Sequence, residues 1–170
     1  MTIVSYFAPK NELQLLWAKT SLEGGGDHHL LLLHLLDAAV CADAILAREP
    51  FSTRERLGSI LGLPWEQARP WILLLVAAHD LGKASPGFQA KWPAAMERLK
   101  DAGLLPPNVD TRFRHGIASQ IILSNLLLGT GWPEDLADQV ADAVGCHHGD
   151  DPSRLLPCAR SWTPSPRRRG

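Results

Sequence analysis

The residues of this chain best suited to chemistry are histidines and one aspartate placed at the ends of apolar runs. His79-Asp80 closes the run WILLLVAA just ahead of Gly82 and Lys83. His147-His148 closes another run before Gly149, His34 interrupts LLLLHLLD, and His115 opens a third run after Arg112-Phe113-Arg114. A buried imidazole and carboxylate without partners cost on the order of several kcal/mol, and a cation is the simplest partner. Helical bundles build metal sites in this way, one or two donors from each of several helices. The donors His34, His79, Asp80, His115, His147 and His148 form a set of borderline hardness. It suits one or two divalent ions of Mn, Fe, Co or Ni, with Zn or Mg also compatible, and the lack of cysteine donors argues against a closed structural zinc. Asp80 is placed to bridge two cations about 3.5–4 Å apart, a pair that lowers the pKa of a shared water and clamps a phosphate.

Plainer readings stand beside this one. Taken alone, His34 reads as a satisfied core histidine, His28 and His29 as exposed residues at a helix start, and Cys146 as a small buried hydrophobe. Asp37, one turn from His34, either orients that imidazole or has a solvated or capping role.

The elements that must position these residues read as a succession of helices. A glycine joint at 24–26 precedes a run over 28–47 in which Leu and Ala occupy almost every angle, predicting a central helix buried nearly all round, with Asp27 as its cap. A short helix over 53–61 is closed by Gly62 and Pro64. The next run, over 65–81, holds Pro70, so that helix either starts or bends there, and Gly82 is its expected C-cap. An amphipathic helix is expected over 88–101, then a loop, then helices over 115–128 and 133–146. Sustained β-branched alternation is absent, so the fold class is all-α. The stretch 152–170, with four prolines and Arg167-Arg168-Arg169, reads as a disordered tail behind a domain covering 1–151.

Composition sets the outer limits. The chain has 170 residues, 45% of them hydrophobic and 21% charged, enough for one soluble domain with one core. A net charge of -1 means that an anionic substrate must be held by local charge or by bound cations. Cys41, Cys146 and Cys158 show no C-x-x-C spacing, no export signal opens the chain, and no apolar run approaches the ~20 residues of a membrane span. The chain is read as cytoplasmic, with no membrane partner.

The order His34, His79-Asp80, His115, His147-His148 resembles the HD phosphohydrolase superfamily. LWAKT at 16–20, HLLDAA at 34–39, HDLGKASPGFQ at 79–89, RHGIAS at 114–119 and HHG at 147–149 are similar, more narrowly, to the HD nuclease domain of the type I CRISPR helicase-nuclease. That resemblance implies an HD-domain helical bundle with a metal site in its core, and a catalytic role for Asp80 as the carboxylate shared by both metals. It groups His34 and His79 at one metal and His115, His147 and His148 at the other, with Lys83 catalytic and facing the scissile phosphate. It also implies single-stranded DNA as substrate, recruitment by a crRNA-guided surveillance complex, and a helicase on the same or a separate chain. A further ligand aspartate is expected on a later helix; neither Asp150 nor Asp151 is assigned that role, so the domain is expected to be incomplete at its C-terminal end. Two other readings use the same donors: a phosphohydrolase acting on nucleotides, and an inactive fragment that still binds metal.

Overall fold

The computed structural model describes residues 11–21, 27–106 and 108–149. The glycine joint at 24–26, Asp150, Asp151 and the expected tail lie outside them. After a 3₁₀ turn at Asn11–Gln14 the chain forms strand β1, Trp17–Thr20, which pairs antiparallel with β2, His28–Leu30. Strands of this length are too short for alternation to reveal. The hairpin is a small addition to a fold that is otherwise helical, as expected.

Helix α1, Leu31–Leu46, follows β2 directly, and the extended residue before it is Leu30, so Asp27 does not cap it. The expectation of burial all round is wrong. Only Leu31 is fully buried, whereas Leu36 and Val40 are 50% and 67% exposed and Leu32, Leu33 and Ile45 are exposed as well. The helix packs along one side, against the hairpin, α3 and the segment that follows α3. A run of Leu and Ala carries no periodicity to mark that side.

Helices α2, Phe51–Ile60, and α3, Trp65–Ala77, each begin directly after a proline, Pro50 and Pro64. Helix α3 runs through Pro70, which is exposed and forgoes the bond its N–H would make to the Glu66 carbonyl. It yields at Ala78 to a 3₁₀ segment, Ala78–Ala84, in which Asp80 departs from helical geometry (φ -105°, ψ 17°). The expected single helix over 88–101 is two, α4, Pro86–Gln89, and α5, Pro93–Asp101, because Pro93 takes the first helical position and Trp92 before it is extended. Helices α6, His115–Gly129, and α7, Glu134–Gly145, match the expected bounds to within a residue.

Two apolar clusters flank the 3₁₀ segment. On one side Ala78 joins Leu123 and Leu127 of α6 and Ala137 and Ala141 of α7. On the other, Trp17 of β1 packs on Phe88 (ring centroids 4.6 Å apart) together with Ala95 and Leu99 of α5. Gln89, only 1% exposed, ties that second cluster to the segment. Its Nε2 donates to the carbonyls of Trp17 (2.8 Å) and Lys83 (2.7 Å), and its Oε1 accepts the Trp17 N–H (3.1 Å). The segment is thus held from both sides by packing and by buried hydrogen bonds. No helix among the described residues is long and apolar enough to cross a membrane.

Truncating Leu99, 1% exposed, to Ala is expected to cost about 2–5 kcal/mol. Val40→Lys, on the open side of α1, is expected to stay within about 0.5 kcal/mol of the parent. Urea denaturation of the two variants checks both; similar losses would contradict the packing described.

Candidate metal centre

The 3₁₀ segment owes its position to an approach that only glycine permits. A Cβ on Gly82 would stand 1.9 Å from the His115 carbonyl oxygen and 2.4 Å from the Ser119 nitrogen, so backbone lies against backbone along the first turn of α6. Gly82 is therefore a contact point and not the C-cap its place in the sequence suggested. A second such contact joins α6 to the end of α7, where a Cβ on Gly116 would meet the Gly145 carbonyl oxygen at 2.6 Å. The first contact brings His79-Asp80 to His115. The second brings His115 to His147 and His148, which stand in the turn just past α7.

Asp80, 5% exposed, is the centre of the arrangement. Its Oδ2 lies 2.8 Å from His34 Nε2 of α1, 3.1 Å from His79 Nε2 and 2.8 Å from Lys83 Nζ. Its Oδ1 lies 3.0 Å from His115 Nε2 and 3.4 Å from His147 Nε2. His148 Nε2 is 3.0 Å from His115 Nε2. His34, His79, Asp80, Lys83, His115, His147 and His148 lie in one cluster, which divides into two groups of donors about the shared carboxylate: His34, His79 and Asp80; and Asp80, His115, His147 and His148. The further aspartate expected on a later helix is not among the described residues of the cluster.

The electrostatics follow from this crowding. Burial pushes the Asp80 carboxyl up, but the nitrogens of His115, His79, Lys83 and His34 crowded around it outweigh burial and hold the group far below the usual carboxylate range. Burial lowers His34 and the nearby Lys83 charge adds to that, against the raising effect of Asp80. His79 is raised, chiefly by the adjacent Asp80 carboxylate.

Three observations show that these residues fit a cation. The Nδ1 atoms of His79 and His147 lie 2.9 Å and 3.0 Å from the carbonyls of Val76 and Val144, three residues back, and donate to them. In the neutral tautomer this turns a bare Nε2 lone pair of each ring toward the carboxylate, the orientation typical of metal-bound histidine. Asp80 Oδ1 is buried and receives no properly aligned hydrogen bond despite two imidazole nitrogens close by. His115 and His148 direct ring nitrogens at each other. Imidazole nitrogens and carboxylate oxygens converging on one point are the donor arrangement that a cation would fill. The second group supplies four donors; the first supplies three, with the Lys83 ammonium, 11% exposed at its side chain, on the same carboxylate oxygen.

Two readings of polar residues need correction. Asp37 does not orient His34: it pairs with His29 Nε2 at 2.9 Å, while His34 turns to Asp80. His28 and His29 are half-buried in β2, not exposed at a helix start. Sequence reasoning also missed Gln89 and Ser119, whose polar ends are used internally and which carry no spacing signal.

Fold and cluster together define an all-helical domain organised about a buried His-Asp pair with the capacity to hold metal. Comparison with known proteins narrows the class. Residues 17–169 match the family described as "Cas3, HD domain". The CRISPR-associated endonuclease/helicase Cas3 of Thermus thermophilus is 44% identical over 134 residues, 79% of this chain and 14% of that protein. Cas3 of Escherichia coli K12 is 32% identical over 113 residues, 60% of this chain and 12% of that protein. A crystal structure of the Thermus thermophilus Cas3 HD domain in the presence of Ni2+ superposes with a TM-score of 0.57 at 36% identity, over 88% of this chain and 56% of that one. The chain belongs to the Cas3 HD-domain family, and it spans about one seventh of the length of the curated relatives it matches.

Gly116→Ala places a methyl against the Gly145 carbonyl at the contact that unites His115 with His147. It is expected to cost about 1–3 kcal/mol by thermal or chemical unfolding. A variant as stable as the parent would show that α6 and α7 do not meet as closely as described.

Proposed function

We propose that this chain is a metal-dependent nuclease domain that hydrolyses phosphodiesters of single-stranded DNA in CRISPR interference. The observation that carries the reading is the single Asp80 carboxylate offering one oxygen to each of two imidazole groups. His34, His79 and Asp80 would hold one divalent cation, and Asp80, His115, His147 and His148 a second. Mn, Fe, Co and Ni are the cations best matched to these donors, with Mg or Zn also compatible. Such cations supply a water of lowered pKa and a positive clamp on the phosphoryl oxygens.

The protein's own groups do the rest. Asp80 fixes the spacing of the two groups because both its oxygens are engaged within one rigid carboxylate. The backbone carbonyls of Val76 and Val144 hold the His79 and His147 rings in the metal-ready tautomer. Lys83, whose ammonium already lies beside the carboxylate, is the cationic side chain available to a phosphate oxygen as negative charge develops there. The names of the relatives, endonuclease/helicase, support the nuclease assignment and a helicase on the same or a separate chain. Recruitment by a crRNA-guided surveillance complex, and a cytoplasmic location, belong to the same reading.

The test is cleavage of circular single-stranded DNA by the purified chain loaded in turn with Mn2+, Co2+, Ni2+ and Mg2+, with nucleoside monophosphates as competing substrates. Cleavage of the circle is expected, lowered about 100-fold or more by Asp80→Asn, a direct donor being worth more than the 10–100-fold of an outer partner. Lys83→Ala is expected to lower the rate while leaving metal content intact. Metal uptake with no cleavage by any ion would overturn the nuclease reading, and faster turnover of monophosphates would point instead to a nucleotide phosphohydrolase.

A further inference from the structure

Ser119 lies one helical turn beyond His115 on the same face of α6, and it is completely buried. Its Oγ donates to the His79 carbonyl at 2.9 Å and accepts the Gly82 N–H at 2.8 Å. A hydroxyl has one proton to give and lone pairs to receive, and both capacities are spent on the turn that carries Asp80. The two backbone groups bracket Asp80, where the chain leaves helical geometry. Gly82 rests in the same place on the His115 carbonyl and the Ser119 nitrogen, so packing sets how close the turn can come while the hydroxyl sets where along α6 it stops.

We infer that Ser119 is the positioning residue of the metal centre: it bonds the His79 carbonyl and the Gly82 N–H and so fixes Asp80 against His115. The inference rests on the proposed metal-binding reading and assigns a role to a residue that touches neither metal nor substrate. Without the hydroxyl the turn can slide along α6, and a shift of a fraction of an ångström changes the 3.0 Å separation of Asp80 Oδ1 and His115 Nε2 on which the four-donor group depends. Ordinary packing does not predict this. A buried serine that only filled space would be replaced by alanine with loss of stability and nothing more.

A matched control is available on the same helix. Ser124 Oγ donates to Asp138 Oδ1 of α7 at 2.7 Å, also an inter-element hydrogen bond, but it lies away from the turn that carries Asp80. The experiment titrates the whole chain with Co2+ alone, reading affinity by calorimetry and coordination by the visible d–d bands, for the parent, Ser119→Ala, Ser119→Thr and Ser124→Ala. Ser119→Ala is expected to bind Co2+ at least about 10-fold more weakly with altered bands, in line with the loss of other outer partners of metal sites. Ser124→Ala and the hydroxyl-retaining Ser119→Thr are expected to stay within about threefold of the parent, bands unchanged. Equal affinity in Ser119→Ala and Ser124→Ala, or a Ser119→Thr as weak as Ser119→Ala, would overturn the role. Should Ser119→Ala not fold, Ser119→Cys takes its place, since a thiol is a weak hydrogen-bonding group: about 10-fold weaker binding than Ser119→Thr supports the role, and equal binding overturns it. A parent chain that takes up no Co2+ would sink the metal-binding reading itself, a result distinct from a parent that binds and a Ser119→Ala variant that binds equally well.

Discussion

One buried negative charge organises this molecule. A carboxylate held out of water carries a desolvation cost that no single partner removes, and Asp80 meets it with nitrogen atoms delivered from α1, from its own turn, from α6 and from the end of α7. Apolar clusters on both sides of the turn exclude water and so strengthen each of those attractions. The same packing makes any unbalanced lone pair expensive. Oδ1, buried and without an aligned hydrogen bond, and the facing nitrogens of His115 and His148 are donors that an external cation could use.

Close approach makes the convergence sterically feasible. Three glycines allow main chain to touch main chain: Gly82 against α6, and Gly116 against Gly145. Fully buried alanines, Ala137 and Ala141, let α7 settle on α6 with short side chains between them. Polar side chains then fix what packing leaves free. Gln89 spans β1 and the turn, Ser119 spans α6 and the turn, and each spends its hydrogen-bonding capacity on backbone. The geometry of the donors is therefore set largely by main chain and by neutral side chains.

Much of this was legible in the residues. The histidines and Asp80 stand at interruptions or ends of apolar runs, and such positions announce themselves because burying them needs a reason. Helices α6 and α7 were readable from their lengths and from the breakers around them. The open side of α1 was not, since Leu and Ala at every angle give the same pattern whether a helix is covered on one face or on all. The break between α4 and α5 was written in Pro93, yet the amphipathic pattern continued across it and outweighed the proline. Gln89 and Ser119 were invisible for a different reason: a buried amide or hydroxyl that satisfies itself on distant backbone leaves no mark in local sequence. Asp37 showed the reverse failure, a nearby carboxylate one turn from His34 that the hairpin's His29 claims instead.

The donors at 34 and 148 stand near opposite ends of the described chain. Closing so long a loop is an entropic expense that is met only when the intervening helices have packed. On the ribosome, His34 and the His-Asp pair emerge long before the residues after α7, and through that interval the four-donor group lacks two of its members. The four-donor group is therefore complete only once the last described helix has docked, whereas His34, His79 and Asp80 can meet before it.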